Sequence, residues 1–157
     1  MKTKKRENLA KTPANFPSFA PLLQHAATAS SPSRVIVTAS TAGLTAPALG
    51  PHATYGYSAS KAAVIHLTRN LAIELSPRYH ILCNAICPGF FPSKMANGLM
   101  ALAGGEEALA RESPNGRVGR PEDFAAAVVY LASRAGGHVN ATTLVVDGGK
   151  MWQGSRL

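Results

Sequence analysis

Apolar positions follow two rhythms along the chain: short, near-continuous runs, and one long stretch at helical spacing. Arg34 to Ala39 is a short β-branched run, Ile81 to Cys87 is apolar almost throughout, and Leu144 to Val146 is a third such piece. Runs of this length, bounded by proline and glycine, read as strands. Between the first two, Ser58 to Leu75 sets Val64, Leu67, Leu71 and Leu75 on one stripe, widened by Ala62, Ile65, Ala72 and Ile73. A helix apolar over more than one face is covered on more than one side, so this one predicts a sheet contact and a homo-oligomer through residues 58–75. Ser76-Pro77 predicts its end.

The remaining punctuation extends the pattern. Pro121 followed by Glu122 and Asp123 predicts a helix start, since proline fits the first helical position and carboxylates suit the positive end of the dipole. That helix is expected to close near Arg134. Before Ser33 the prolines at 13, 17, 21 and 32 interrupt any long helix, leaving Phe19 to Ala29. Met95 to Ala103 reads as a loose apolar stretch. The order strand, helix, strand, helix, strand with buried-looking strands predicts an α/β fold around a parallel sheet covered on both faces.

Composition narrows the function classes. The formal net charge of +8 invites a nucleic-acid reading, but Lys2, Lys4, Lys5 and Arg6 crowd the first six residues and the other basic residues are scattered. A solvated basic tail accounts for this, and nucleic acid is not expected as a partner. No apolar run reaches the roughly 18–20 residues that span a bilayer, so no membrane partner is expected. Cys83 and Cys87 lie four apart within one strand, with no second pair to complete a metal site. They are expected reduced and partly buried, in a cytoplasmic setting, and no metal is expected.

The chemistry concentrates in Tyr57-Ser58-Ala59-Ser60-Lys61. A four-residue spacing puts tyrosine and lysine on one helical face. A phenol exchanges its proton reluctantly near neutrality, and an ammonium a few ångströms away eases that exchange. Ser40, at the carboxyl end of the first strand, is placed to hydrogen-bond a carbonyl oxygen. Tyr55 lies six residues before Lys61, off the shared face, and reads as loop packing.

Taken in order, Ser40-Thr41-Ala42-Gly43, the Tyr57 to Lys61 pair and Asn84-Ala85-Ile86-Cys87-Pro88-Gly89 resemble the short-chain dehydrogenase/reductase family. The resemblance runs from about Phe19 to Gly149 and continues through Gly116-Arg117-Val118-Gly119-Arg120-Pro121-Glu122-Asp123 and Val146-Asp147-Gly148-Gly149. The wording Phe91-Pro92-Ser93-Lys94-Met95 is most similar to 3-oxoacyl reductases of the rhamnolipid type and their fungal relatives. The resemblance implies an NAD(P)-dependent oxidoreductase acting between a ketone and a secondary alcohol, with NADP favoured and NAD open. It implies Tyr57 as acid/base, Lys61 as its charge partner and ribose ligand, and Ser40 as the carbonyl positioner. Tyr57, Lys61, Pro88, Gly89, Phe91 and Ser93 would lie along the cofactor's nicotinamide end.

Three departures qualify that expectation. No glycine-rich turn follows a strand and opens a helix, because neither Gly104-Gly105 nor Gly136-Gly137 is so placed; the phosphate site and the residues selecting NAD or NADP are missing. The fold expected is therefore a partial Rossmann fold over residues 19–157, lacking the N-terminal dinucleotide-binding βαβ units. Residues 1–18 read as a divergent, disordered segment in which Asn8 is an uncertain match to a family asparagine. Ala141 stands where the family has glycine before the last strand, and would be strained if that backbone needs positive φ. The alternative reading is a catalytically inactive fragment that pairs with a full-length relative.

Overall fold

The computed structural model describes residues 16–46, 53–94 and 96–153. Asn8, the basic tail and Met95 lie outside the described residues, as does most of the 1–18 segment. Three strands, β1 (Ser33–Thr38), β2 (Ile81–Pro88) and β3 (Thr143–Val146), pair in parallel in the order β1-β2-β3. The helices are α1 (Phe16–Ala26), α2 (Tyr55–Tyr79), α3 (Asn97–Leu102), α4 (Glu106–Arg111) and α5 (Pro121–Ala132). The partial Rossmann expectation holds: parallel strands joined through helices, in an α/β arrangement.

β2 is the spine because every residue from Ile81 to Cys87 is buried. Successive side chains of a strand point to opposite faces, so a strand buried at each position must be covered on both. Ile81 and Cys83 pack with Leu71, Ala72, Leu75 and Tyr79 of α2, and Ala85 and Cys87 with Ile65. Asn84, in the alternate set, is 1% exposed and hydrogen-bonded at both ends of its amide. Its amide donates to the Val139 carbonyl at 2.8 Å and its carbonyl accepts from Thr142 N–H at 3.0 Å. Those two bonds seat the 139–142 loop that leads into β3.

Several expectations are corrected by packing. The buried stripe of α2 is Ile65, Thr68, Leu71, Ala72, Leu75 and Tyr79, whereas Leu67 and Ile73 are exposed. The helix also begins three residues before Ser58 and passes through Pro77 to Tyr79. Proline inside a helix loses a hydrogen bond and crowds the carbonyl four residues earlier, at a cost of about 3 kcal/mol. Burial of Tyr79 in the core and the cap at His80 hold the extra turn against that cost. The stop is His80, whose left-handed backbone (φ 54°) caps α2 and donates its N–H to Ser76.

α1 starts at Phe16 and ends at Ala26, rather than running from Phe19 to Ala29, and it contains Pro21. Pro17 falls in its first turn, where the missing N–H has no helical acceptor. Leu23 packs on the core, and the Ser33 hydroxyl donates to the Leu23 carbonyl at 2.7 Å. The 95–103 stretch, expected loose, contains the six-residue α3, none of whose side chains is buried. α5 starts at Pro121 as expected. The Arg117 guanidinium, paired bidentately with Asp123 at 2.6 and 2.9 Å, and the Arg120 N–H hold that carboxyl down at about 2.

Ala141 does carry a positive φ, 59°. For an L-residue that conformation costs roughly 1–2 kcal/mol. It is held by the hydrogen bond from its N–H to the Cys83 carbonyl at 3.0 Å and by packing of its side chain on the α2–β2 core.

Cys83 and Cys87 are free thiols, and both are fully rather than partly buried. Burial pushes Cys83 up to about 12 and raises Cys87, the latter opposed by the Ser40 backbone and the charges of Arg69 and Lys61. A raised folded value means the neutral thiol favours folding below the ordinary value of 9.0, and this contribution fades as pH climbs toward about 12. Native chain near neutral pH is therefore expected to react with a thiol reagent at neither cysteine, and to react at both once denatured. Rapid labelling of the folded chain would contradict the packing. Among the described residues no helix is long and apolar enough to cross a membrane.

Candidate active site

The candidate residues gather where the strands end. β1 stops at Thr38, and Ser40, in extended backbone, caps a single 3-10 turn at Thr41–Gly43 by accepting the Ala42 N–H on its Oγ at 3.2 Å. This turn lies directly on α2. A Cβ built on Gly43 would sit 2.6 Å from the Lys61 carbonyl carbon and 2.8 Å from the Ala62 nitrogen, so only glycine allows that approach.

Tyr57 and Lys61 stand one turn apart at the start of α2. The Lys61 Nζ donates to the Thr38 carbonyl at 3.1 Å and lies 5.5 Å from the centre of the Tyr57 ring. One ammonium thus ties the carboxyl end of β1 to the tyrosine. Tyr57 is 41% exposed and Tyr55 65% exposed, so both phenols are open, but it is Tyr57 that the ammonium faces. Ser40 and Lys61 are brought to one place through Thr38 and Gly43. The Thr38 carbonyl and the Gly43 contact were not readable beforehand; a glycine three residues after a strand-end serine was the available signal.

The second group of candidates begins at the end of β2. Thr41 Oγ1 donates to the Pro88 carbonyl at 3.4 Å, joining it to the first. Gly89 passes so close to Asp147 that a Cβ would lie 2.6 Å from the aspartate Cβ, and its N–H donates to the Val146 carbonyl at 2.9 Å. Phe91 meets Phe124 edge to face at 6.2 Å. Pro88, Phe91, Pro92, Pro121 and Phe124 line an open apolar cavity of about 310 Å³. Ser93 stands apart: it is exposed and its Oγ accepts the Ala96 N–H at 3.1 Å. No group of acidic, histidine and cysteine side chains suited to a metal occurs among the described residues.

This arrangement, with a hydroxyl, a phenol and an ammonium near the carboxyl ends of parallel strands, can pass a proton to an oxygen. Comparison with known proteins bears on the family. A family model described as Enoyl-(Acyl carrier protein) reductase matches residues 2–150. The rhamnolipids biosynthesis 3-oxoacyl-[acyl-carrier-protein] reductase of Pseudomonas aeruginosa is 43% identical over 129 residues, covering 82% of this chain and 49% of that protein. The short-chain dehydrogenase/reductase PhomF of Diaporthe leptostromiformis is 43% identical over 104 residues, covering 64% and 35%.

Among solved structures, a Pseudomonas aeruginosa RhlG/NADP active-site complex superposes with a TM-score of 0.76 at 38% identity, over 89% of this chain and 56% of that one. A gluconate 5-dehydrogenase from Burkholderia cenocepacia, in complex with NADP and tartrate, gives 0.67 at 30% identity, over 77% and 46%. The chain spans about half the length of these relatives or less. Fold, site geometry and sequence likeness agree: the chain belongs to the short-chain dehydrogenase/reductase family.

Proposed function

We propose that this chain carries the proton-transfer half of an NADP-dependent oxidoreductase that interconverts a ketone and a secondary alcohol. The observation that carries the reading is the Lys61 ammonium, fixed on the Thr38 carbonyl and facing the Tyr57 ring. In reduction, the Tyr57 hydroxyl gives its proton to the substrate oxygen as the carbonyl carbon accepts hydride, and Lys61 stabilises the phenolate left behind. In oxidation the proton returns to Tyr57. The Ser40 hydroxyl, held by its turn against α2, donates to the same oxygen and orients it. When bound, the nicotinamide supplies or accepts the hydride.

The residues present suit the nicotinamide end of that cofactor. Lys61 gives one of its three N–H groups to the Thr38 carbonyl, leaving donors for a ribose. Pro88 and Phe91 line an apolar hollow and Gly89 brings backbone close, while Ser93, outside that lining, is exposed. NADP is favoured over NAD by the cofactor in the solved relatives. For the substrate, an apolar ketone of the 3-oxoacyl type is favoured by the exposed Leu99 and Leu102 on α3 and by the Pseudomonas reductase. A homo-oligomer is supported by Leu67 and Ile73, exposed on α2.

The reading is tested with a chimera in which the N-terminal part of the Pseudomonas 3-oxoacyl reductase is joined ahead of residues 16–157. The chimera is expected to oxidise NADPH with a 3-oxoacyl thioester, while the 157-residue chain alone stays near background. A well-folded chimera with no turnover on any ketone would refute the reading. The fragment alternative draws on β1, which pairs on one side only among the described residues. Robust Tyr57-dependent turnover by the 157-residue chain alone would exclude it.

A further inference from the structure

The segment carrying α3 and α4 is thinly attached along its length and firmly attached beyond its ends. α3 buries no side chain and α4 buries only Leu109. Between them Gly104 and Gly105 both adopt positive φ, 84° and 90°. At the α5 side Val118 is buried, and the Gly119 N–H donates to the Phe90 carbonyl at 2.9 Å. What holds the carboxyl end of α4 comes from elsewhere, from the turn after β3.

That turn is built for close approach. The Asp147 carboxylate accepts the N–H groups of Gly149 at 2.9 Å and Met151 at 2.7 Å. Gly148 and Gly149 have φ of 65° and 86°, and a Cβ on Gly148 would lie 2.5 Å from the Asn115 side chain. The rigid turn then projects Lys150, whose Nζ donates to the Glu112 carboxylate at 2.9 Å and to the Glu112 backbone carbonyl at 3.0 Å. Glu112 is the residue that closes α4. A cation on a closing carbonyl both satisfies an orphan acceptor and complements the negative helix end.

We propose that Lys150 is a positioning residue: it clamps the α4 end of the Asn97–Arg111 flap to the turn after β3, and so sets where Leu99 and Leu102 stand over the substrate. The substrate part of this statement rests on the function proposed above; the clamp does not. An exposed ion pair by itself contributes little. Here the backbone bond and the glycine-built turn add to it, and the flap has few other attachments to share the load.

Hydrogen exchange measured on the 157-residue chain tests the clamp without needing activity. Lys150→Ala is expected to raise exchange in the Glu106–Glu112 amides by roughly three- to tenfold, with β2 and α5 unchanged. Trypsin cleavage after Arg111 should quicken in parallel. Lys150→Arg should restore wild-type exchange, and the double swap Lys150→Glu with Glu112→Lys should exchange more slowly than either single reversal. Unchanged exchange in Lys150→Ala, a rise spread over the whole chain, or no rescue by the swap would each overturn the proposal. Glu112→Gln, which keeps the shape and removes the charge, repeats the test from the other side of the contact.

Discussion

Gly43→Ala is expected to destabilise the chain by about 1–3 kcal/mol, out of proportion to one added methyl. On a glycine in an open loop the same change would be neutral or slightly stabilising, since alanine narrows the unfolded ensemble. At Gly43 the new carbon meets backbone: the Lys61 carbonyl carbon at 2.6 Å, the Ala62 nitrogen at 2.8 Å and the Lys61 oxygen at 2.9 Å. A helix backbone cannot yield by a rotamer change, so the 3-10 turn has to move away from α2. For a domain of this size the melting temperature should fall by about 2–12 °C. Because Ser40 caps that turn, its hydroxyl moves with it.

The displacement has a chemical consequence. A misplacement of about 1 Å can cost on the order of 10²-fold in rate, so in the chimera Gly43→Ala should lower kcat more than it changes KM. Gly56→Ala is the control. Nothing lies within 4 Å of a Cβ at Gly56, although it is only one residue from Tyr57. If both substitutions have equal effects on melting and turnover, the close packing of the Ser40 turn on α2 is not what organises the site.

How far the sequence discloses this molecule differs from element to element. The strands were legible because each is a short apolar run cut off by proline or glycine, and the α5 start because proline and two acids mark it. The ends of α2 were not. Pro77 is a local stop signal, and it is overridden by Tyr79, whose burial depends on residues from other elements. The buried stripe of α2 shifted for a related reason: the apolar residues leave more than one face available, and only the position of β2 decides between them. Leu67 loses and Thr68 wins, the threonine satisfying its hydroxyl on the Val64 carbonyl at 2.8 Å.

The site shows the same division. Tyr57 and Lys61 could be paired from spacing alone, because i and i+4 share a helical face whatever the fold. The Thr38 carbonyl that holds Lys61 could not, since it is backbone and depends on how α2 crosses the end of β1. Phe124, which completes the hollow with Phe91, sits in a helix that periodicity assigns only to packing. Lys150 and Glu112 are 38 residues apart, and nothing local in either predicts the contact. Ala141 is the converse case: standing where the family has glycine, it is expected to be strained if the backbone needs positive φ, and the backbone does adopt one.

Tyr57→Phe should have the largest effect on the reaction. The substitution keeps the ring under the Lys61 ammonium and removes only the hydroxyl proposed to move the proton. Loss of a positioned acid/base lowers rates by about 10²–10⁴-fold. Tyr55 supplies the internal comparison, being a more exposed phenol two residues away with no ammonium placed over it among the described contacts.

The most direct measurement is therefore NADPH-dependent reduction of a 3-oxoacyl thioester by the active chimera, with Tyr57→Phe assayed beside Tyr55→Phe. The predicted result is a loss of at least about 10²-fold in kcat for Tyr57→Phe and a change of no more than a few-fold for Tyr55→Phe. Full activity in Tyr57→Phe, or the larger loss in Tyr55→Phe, would contradict the assignment of Ser40, Tyr57 and Lys61 as the proton-transfer site.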